Sequence, residues 1–303
     1  MSDRQPVVSI ITPFYNPGKV LKGAIESIQS QSFAEWELLL VDDGSNDGSR
    51  AAAEDAARRD CERILLLSHA DGKNHGLTVT RNLGLQHCRG EFVALLDADD
   101  VWLPSKLQEQ VEILRHQADA AMVFGRSEYW HSWDAGAKET DSVPELPPGE
   151  RMYAPPELWK LCYPFGRFGT PCPSDLMFRR TALERVGGFE ECFDERSPTH
   201  EDIALLSKIF LSFPVYVSTR CWDRYRRHDG SIWSIAQRNG GEERSRAFYF
   251  EWMRGYLEKS GIRDEEIWQM LEQRSWRYRH STVAAWLDMG RSALRPIKRL
   301  LRS

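Results

Sequence analysis

The chain has 303 residues, with 40 Lys and Arg against 45 Asp and Glu, a formal net charge of -5. Hydrophobic residues at 41%, charged at 28% and aromatic at 11% describe a folded globular chain rather than a disordered one. The mild acidity gives no support for nucleic-acid binding, and the longest apolar runs are far too short to span a membrane.

In chain order, the first apolar run, Val7-Val-Ser-Ile-Ile-Thr12, precedes the loop Asn16-Pro-Gly18. Val20, Leu21, Ala24, Ile25 and Ile28 then form one helical stripe. Leu38–Val41 is a second run, and Asp47 stands where the N-cap of a helix reaching Arg59 would be. Ile64–Leu67 and Phe92–Leu96 are the third and fourth runs. Between and after them, Leu77–Gln86 and Pro104–Gln117 read as helices, the second with proline in a tolerated first-turn position. Runs apolar at consecutive positions suit parallel strands covered on both faces. The alternation of strand and helix predicts a doubly wound α/β sheet.

Beyond Gly125 the pattern loosens. Asp134–Pro156, polar and proline-bearing, reads as a long surface loop. Leu176–Arg179 reads as a strand, Thr181–Val186 as a short helix, Ile203–Phe213 as a longer one, and Val215–Thr219 and Cys221–Arg227 as two further strands. From about Ala236 the chain turns helical and charged. Six cysteines with no C-x-x-C spacing, and no basic-then-apolar leader, suit a reduced, cytoplasmic protein without structural zinc.

Ligands of open α/β sheets bind at the carboxyl ends of the strands. Three polar clusters fall there: Thr12-Pro-Phe-Tyr-Asn16, Asp42-Asp-Gly-Ser45 and Asp97-Ala-Asp-Asp100. Helix capping explains Asp47, but Asp97, Asp99 and Asp100 exceed what one cap requires. Carboxylates so crowded repel one another unless a cation joins them, and hard oxygen ligands suit Mg²⁺ or Mn²⁺.

Val8-Ser-Ile-Ile-Thr-Pro-Phe-Tyr-Asn16, Val41-Asp-Asp-Gly-Ser45, Arg81-Asn-Leu-Gly84 and Leu96-Asp-Ala-Asp-Asp100 resemble the ordered motifs of family 2 glycosyltransferases. The resemblance continues through Gly187-Gly-Phe-Glu-Glu191, His200-Glu-Asp202 and Tyr225-Arg-Arg-His228, covering roughly residues 7–231. It implies a GT-A fold: a doubly wound, mostly parallel sheet with a smaller mixed acceptor-side sheet. The nucleotide-binding half would run over about 1–125, the acceptor half over about 126–235, and a helical extension over 236–303. It further implies sugar transfer with inversion from a nucleotide-diphosphate sugar to the hydroxyl of a saccharide or lipid-linked acceptor, in surface polysaccharide or glycolipid assembly.

The same resemblance assigns roles. Thr12, Pro13 and Tyr15 would flank the nucleoside, and Asp43 would accept the N–H of the base. Such an acceptor favours uracil or thymine over cytosine, while guanine also offers an N–H, so a uridine diphosphate sugar is favoured without being fixed. Asp97 would lie near ribose and metal, Asp99 would hold the metal, and His228 would stand beside it. Arg81 would face the diphosphate as a guanidinium fork, or else be an ordinary surface arginine. Asp202, with Glu201, matches the family's base motif. The start of a helix there is expected to lower the Asp202 pKa, and one carboxylate opposite the leaving group suffices for inversion. Trp222 and Trp233 are candidates to face the acceptor sugar.

The end of the chain, Trp286 to Arg302, mixes apolar residues with Arg291, Arg295, Lys298, Arg299 and Arg302. Such a basic amphipathic tail can bind an anionic membrane surface. A nucleotidyltransferase would need a glycine-rich basic loop after the first strand, and a nicotinamide enzyme a G-x-G-x-x-G turn; neither string occurs there. A non-catalytic nucleotide-sugar-binding relative is the remaining alternative. It would have no need for Asp43, Asp99 and Asp202 together.

Overall fold

The structure is a computed structural model that describes residues 5–197 and 199–280. Its frame is built from strands buried along their whole length: β1 (Val8–Phe14), β2 (Trp36–Asp42) and, after β3 (Ile64–Ser68), β4 (Phe92–Leu95). Strands apolar on both faces need helices on both sides. β1 accordingly pairs in parallel with β2 and β4, and β2 in parallel with β3. The connecting helices are α1 (Val20–Gln29), α2 (Ser49–Arg59) and α3 (Leu77–Gln86). α1 buries Leu21, Ala24, Ile25 and Ile28, the stripe read from the sequence.

The remaining strands are β5 (Val101–Trp102), β6 (Met122–Trp130), β7 (Arg151–Tyr153), β8 (Met177–Arg179) and β9 (Val215–Arg226). They continue the same sheet in the order β3-β2-β1-β4-β8-β6-β9-β5, with β7 also on β9. β8 runs antiparallel to β4 and β6, whereas β9 is parallel to β6, so the parallel half passes without a break into a mixed half. Helices α4 (Lys106–His116), α5 (Glu157–Leu161), α6 (Arg180–Val186), α7 (Cys192–Arg196), α8 (Glu201–Ser212) and α9 (Ile232–Arg238) accompany it.

Three expectations change here. The two strands expected after Phe213 are one, β9, whose pairing with β6 shifts register between Phe124 and Ser127. The stretch expected as a surface loop buries Leu146 and contributes β7. The N-cap of α2 is Gly48 rather than Asp47, whose carboxylate instead bridges, accepting from Ser49 N, the first residue of α2, at 3.0 Å and from Gly18 N at 2.7 Å.

Contacts divide the chain into two compact units, Met1–Glu242 and Glu243–Ser303. In the second, α10 (Gly241–Lys259) meets α11 (Glu265–Arg279) through Phe250 against Tyr278 and Arg254 against Glu272. The basic tail from Trp286 to Arg302 lies outside the described residues. Among the described residues no helix is long and apolar enough to cross a membrane.

Candidate active site

The chain leaves β1 toward β2 and β3 on one side and returns to β4 on the other, so the ends of β1 and β4 open a crevice at the switch point. Thr12 and Pro13 are buried near the end of β1, and Tyr15 follows, 53% exposed. The Thr12 hydroxyl is buried with no hydrogen-bond partner among the described residues.

Asp43, just past β2, is buried. Its two carboxylate oxygens accept backbone N–H groups of His75 (2.7 Å) and Gly76 (3.1 Å), and the His69 ring nitrogen stands 3.5 Å away. A carboxylate offers about four lone-pair directions, so these bonds orient Asp43 and leave capacity for one more donor. Gly44 beside it has φ +82°, and a Cβ there would meet the backbone of Lys73 at 2.9 Å, so the turn and the loop against it both require glycine. Asp42, by contrast, is tied to Ser45 N and Arg50.

The Asp97–Asp100 cluster divides its labour. Asp100 is buried and structural: it accepts from Ser174 Oγ at 2.6 Å and from Arg226 N at 2.8 Å. Burial, then its neighbours Asp99 and Asp97, raise its pKa well above the usual carboxylate range. Ser174 also receives the Asp97 N–H, so one hydroxyl fixes the loop at both ends. Asp99 stays about one-third exposed, with its Oδ2 3.0 Å from His228 Nε2. Adjacent donors on one octahedral cation with bonds of about 2.1 Å stand about 3 Å apart. A carboxylate and an imidazole at this separation fit Mn²⁺ or Mg²⁺. Among the described residues no group of three or more His, Cys, Asp or Glu is arranged for a metal, and a cation completed by substrate phosphates and water is the usual state of Mg²⁺.

Arg81 is no surface residue. It is 1% exposed on α3, donating from Nη2 to Asp97 Oδ1 (2.7 Å) and from Nη1 to Glu201 Oε1 (3.2 Å). Burial works against its charge, but Asp97 and Glu201 outweigh that and raise its pKa. The guanidinium therefore joins the strand-end acid to the first turn of α8, which lies 120 positions along the chain from Arg81 itself.

Glu201 and Asp202 open α8 behind His200, whose backbone is left-handed at φ +81° and whose Nε2 meets the Tyr163 hydroxyl at 3.0 Å. Asp202 Oδ1 accepts the Ile203 N–H at 2.7 Å. The expected depression of the Asp202 pKa by the helix start does not hold. Burial raises it, and the Ile203 N–H and Arg81 only reduce the rise. Glu201 is pushed up to about 8, by burial first and by Asp202 next, with Arg81 opposing.

Of the aromatic candidates, Trp222 is buried and bonded to Glu109, so it faces no ligand, whereas Trp233 is 38% exposed. Two contributors carried no sequence signal: Ser174, and Asp194, which accepts from Thr78 N (2.9 Å) and Val79 N (3.1 Å) at the start of α3.

The family model for "Glycosyl transferase family 2" matches residues 9–187. The chain belongs to glycosyl transferase family 2. Putative glycosyltransferase EpsE of Bacillus subtilis is 32% identical over 206 residues, 68% of this chain and 67% of EpsE. The putative teichuronic acid biosynthesis glycosyltransferase TuaG, also of Bacillus subtilis, is 36% identical over 127 residues, 42% of this chain and 49% of its own length. The Escherichia coli protein named UDP-Glc:alpha-D-GlcNAc-diphosphoundecaprenol beta-1,3-glucosyltransferase, WfgD, is 37% identical over 108 residues, only 41% of its length. The chain thus matches less than half of two of these relatives.

Among solved structures, Staphylococcus aureus TarS 1-349 in complex with UDP-GlcNAc aligns with TM-score 0.67 and 20% identity, over 90% of this chain and 72% of that one. The mannosyltransferase PcManGT of Pyrobaculum calidifontis, in complex with GDP-Man and Mn²⁺, aligns with TM-score 0.55 and 17% identity, over 98% and 84%. The family 2 chain therefore has the GT-A fold of these enzymes.

Proposed function

We propose that this chain is an inverting, cation-dependent glycosyltransferase that moves a sugar from a nucleotide-diphosphate donor, a uridine diphosphate sugar in the first place, to an acceptor hydroxyl in surface polysaccharide or glycolipid assembly. The observation that carries the reading is the Arg81 bridge. One buried guanidinium joins Asp97, at the strand end where nucleotides bind in this fold, to Glu201, next to the only other carboxylate of that motif, Asp202. The UDP-GlcNAc held by TarS and the diphosphoundecaprenol acceptor in the WfgD name support the donor and acceptor classes.

In this reading Asp43 accepts the base N–H, with Thr12, Pro13 and Tyr15 along the nucleoside. Asp97 faces the ribose. Asp99 and His228 hold Mn²⁺ or Mg²⁺, which when bound offsets the charge growing on the departing diphosphate. Asp202 takes the proton of the acceptor hydroxyl at its free oxygen, and its raised pKa makes it a stronger base than a solvated aspartate. Burial and Asp202 raise the pKa of Glu201, which disfavours a second full charge beside the base. Arg81 positions Asp97 and Glu201 rather than gripping phosphate.

The test is calorimetric titration of UDP, GDP, dTDP and CDP with and without Mn²⁺, on the full chain and on Asp99→Ala. Cation-dependent binding of one nucleotide, lost in Asp99→Ala, is expected. Failure of all four to bind with Mn²⁺ would overturn the reading, and unchanged binding in the variant would remove Asp99 from the metal.

A further inference from the structure

Three arginines on or just beyond β9 sit on aromatic rings, and two of them have oxygen partners. Arg224 donates to Glu128 at 2.7 Å, and Arg226 donates to the Asp99 carbonyl at 2.6 Å. Arg227 differs. Its guanidinium carbon lies 5.1 Å from the Tyr129 ring centre, 5.8 Å from that of Tyr225 and 4.5 Å from that of Trp233, and no described carboxylate reaches it. The backbone holds this box in place. Arg227 N donates to Trp130 O at 3.1 Å, and Trp133 Nε1 donates to Arg227 O at 2.9 Å.

Rings at its faces strip water from a guanidinium but leave its edge, with all its N–H donors, open in the plane. A guanidinium so fixed and without an acid partner is prepared for a planar, bidentate contact with phosphate oxygens. We propose that Arg227, in its box of Tyr129, Tyr225 and Trp233, recognises a phosphate group carried by the acceptor. The site adjoins the chemistry: Arg227 precedes His228, and the Tyr129 ring that packs beneath it lies within electrostatic reach of Asp202. A phosphate at Arg227 would thus anchor a molecule whose hydroxyl faces the base. Nothing in the donor's own recognition by Asp43, Asp99 and His228 requires it.

The inference rests on the transferase reading only for the word acceptor, and the experiment separates the two. Methyl phosphate is titrated against the full chain, first alone and then with UDP and Mg²⁺ saturating, and the titrations are repeated on Arg227→Met and Arg227→Lys. Circular dichroism confirms that both variants are folded. Methyl phosphate should bind the wild type in the presence of UDP, about tenfold or more weakly to Arg227→Met, and at intermediate strength to Arg227→Lys, with UDP affinity the same in all three. Absence of methyl phosphate binding to the wild type, or equal binding to Arg227→Met, overturns the proposal. So does competition between methyl phosphate and UDP together with weaker UDP binding in Arg227→Met, because the guanidinium then serves the donor diphosphate. If UDP itself fails to bind the wild type, the transferase reading falls, while the titration without UDP still decides Arg227.

Discussion

Glu201→Gln isolates the electrostatic strain stored beside the proposed base. Glu201 is held at about 8 against an ordinary 4.5, so the folded protein keeps a proton there that the unfolded chain has lost. Between those two values the folded state binds more protons, and stability falls as pH rises, by at most about 1.4 kcal/mol per pH unit. Below the lower value the strain is absent, and above the upper one it is complete, on the order of 5 kcal/mol for a displacement of this size. Glutamine keeps an acceptor oxygen for Arg81 Nη1 but cannot ionise, and Asp97 still pairs the guanidinium. Urea unfolding of both proteins at pH 5, 6, 7 and 8 reads the effect. The difference between them is expected to grow in favour of Glu201→Gln from pH 5 to pH 8. Other groups raised by burial, such as Asp223 at about 7, slope the same way in both proteins and cancel in the difference. A difference independent of pH, or a variant that loses several kcal/mol at pH 8, would mean that Glu201 is ionised and paired with Arg81, and the reasoning fails.

Asp202→Asn should leave UDP affinity intact and lower sugar transfer by about 10²- to 10⁴-fold, the usual worth of a positioned base; near-normal turnover would put the base elsewhere. Because burial raises the Asp202 pKa, wild-type transfer should increase as pH rises through the ionisation of that group, measured as kcat against pH, and a profile with no acid limb above the ordinary aspartate range would count against it. Gly84→Ala should cost about 1–3 kcal/mol, since its Cβ would stand 2.6 Å from Ile11 Cγ2, where α3 lies against β1; an unchanged melting temperature would mean that this contact relaxes freely.

What the sequence made legible was whatever is local. β1, β2 and β4 are continuous apolar runs because both faces are covered, and the acidic clusters follow them directly. β6 has no clear sequence signature, because Gly125, Arg126 and Glu128 break its apolar run just as its far end becomes half-buried. β9 looks like two strands in the sequence because Thr219 and Arg220 are exposed at its register shift. The candidate site residues were recognisable in kind but not in their partners. Arg81 as a surface or phosphate-facing residue and Arg81 as a buried bridge have the same sequence; only the approach of Asp97 and Glu201 distinguishes them. The sign of the Asp202 shift failed for a related reason. A helix start is visible in sequence, whereas the burial that outweighs it is a property of the assembled fold.

The first turns of α3, with the two residues before it, hold the proposed donor and base sites in a fixed relation. His75 and Gly76 donate to Asp43, Thr78 and Val79 donate to Asp194, and Arg81 reaches Asp97 and Glu201. Asn82 completes the series, accepting Phe189 N at 2.9 Å and donating to Phe189 O at 3.0 Å. Within eight residues the chain thus grips the proposed nucleotide-side acid, the strand-end acid, the acid of the proposed base motif and the segment leading into it. Transfer needs the sugar carbon and the acceptor oxygen aligned within a fraction of an ångström, and a base on a separately mobile loop would lose that alignment. A short helix tied at both the proposed donor and the proposed acceptor side removes that freedom before any substrate arrives. The raised acids of the site are then intelligible as its consequence. Glu201 and Asp202 are largely withdrawn from solvent, and Arg81, buried beside them and bonded to Glu201 and Asp97, opposes only part of the rise in their pKa values.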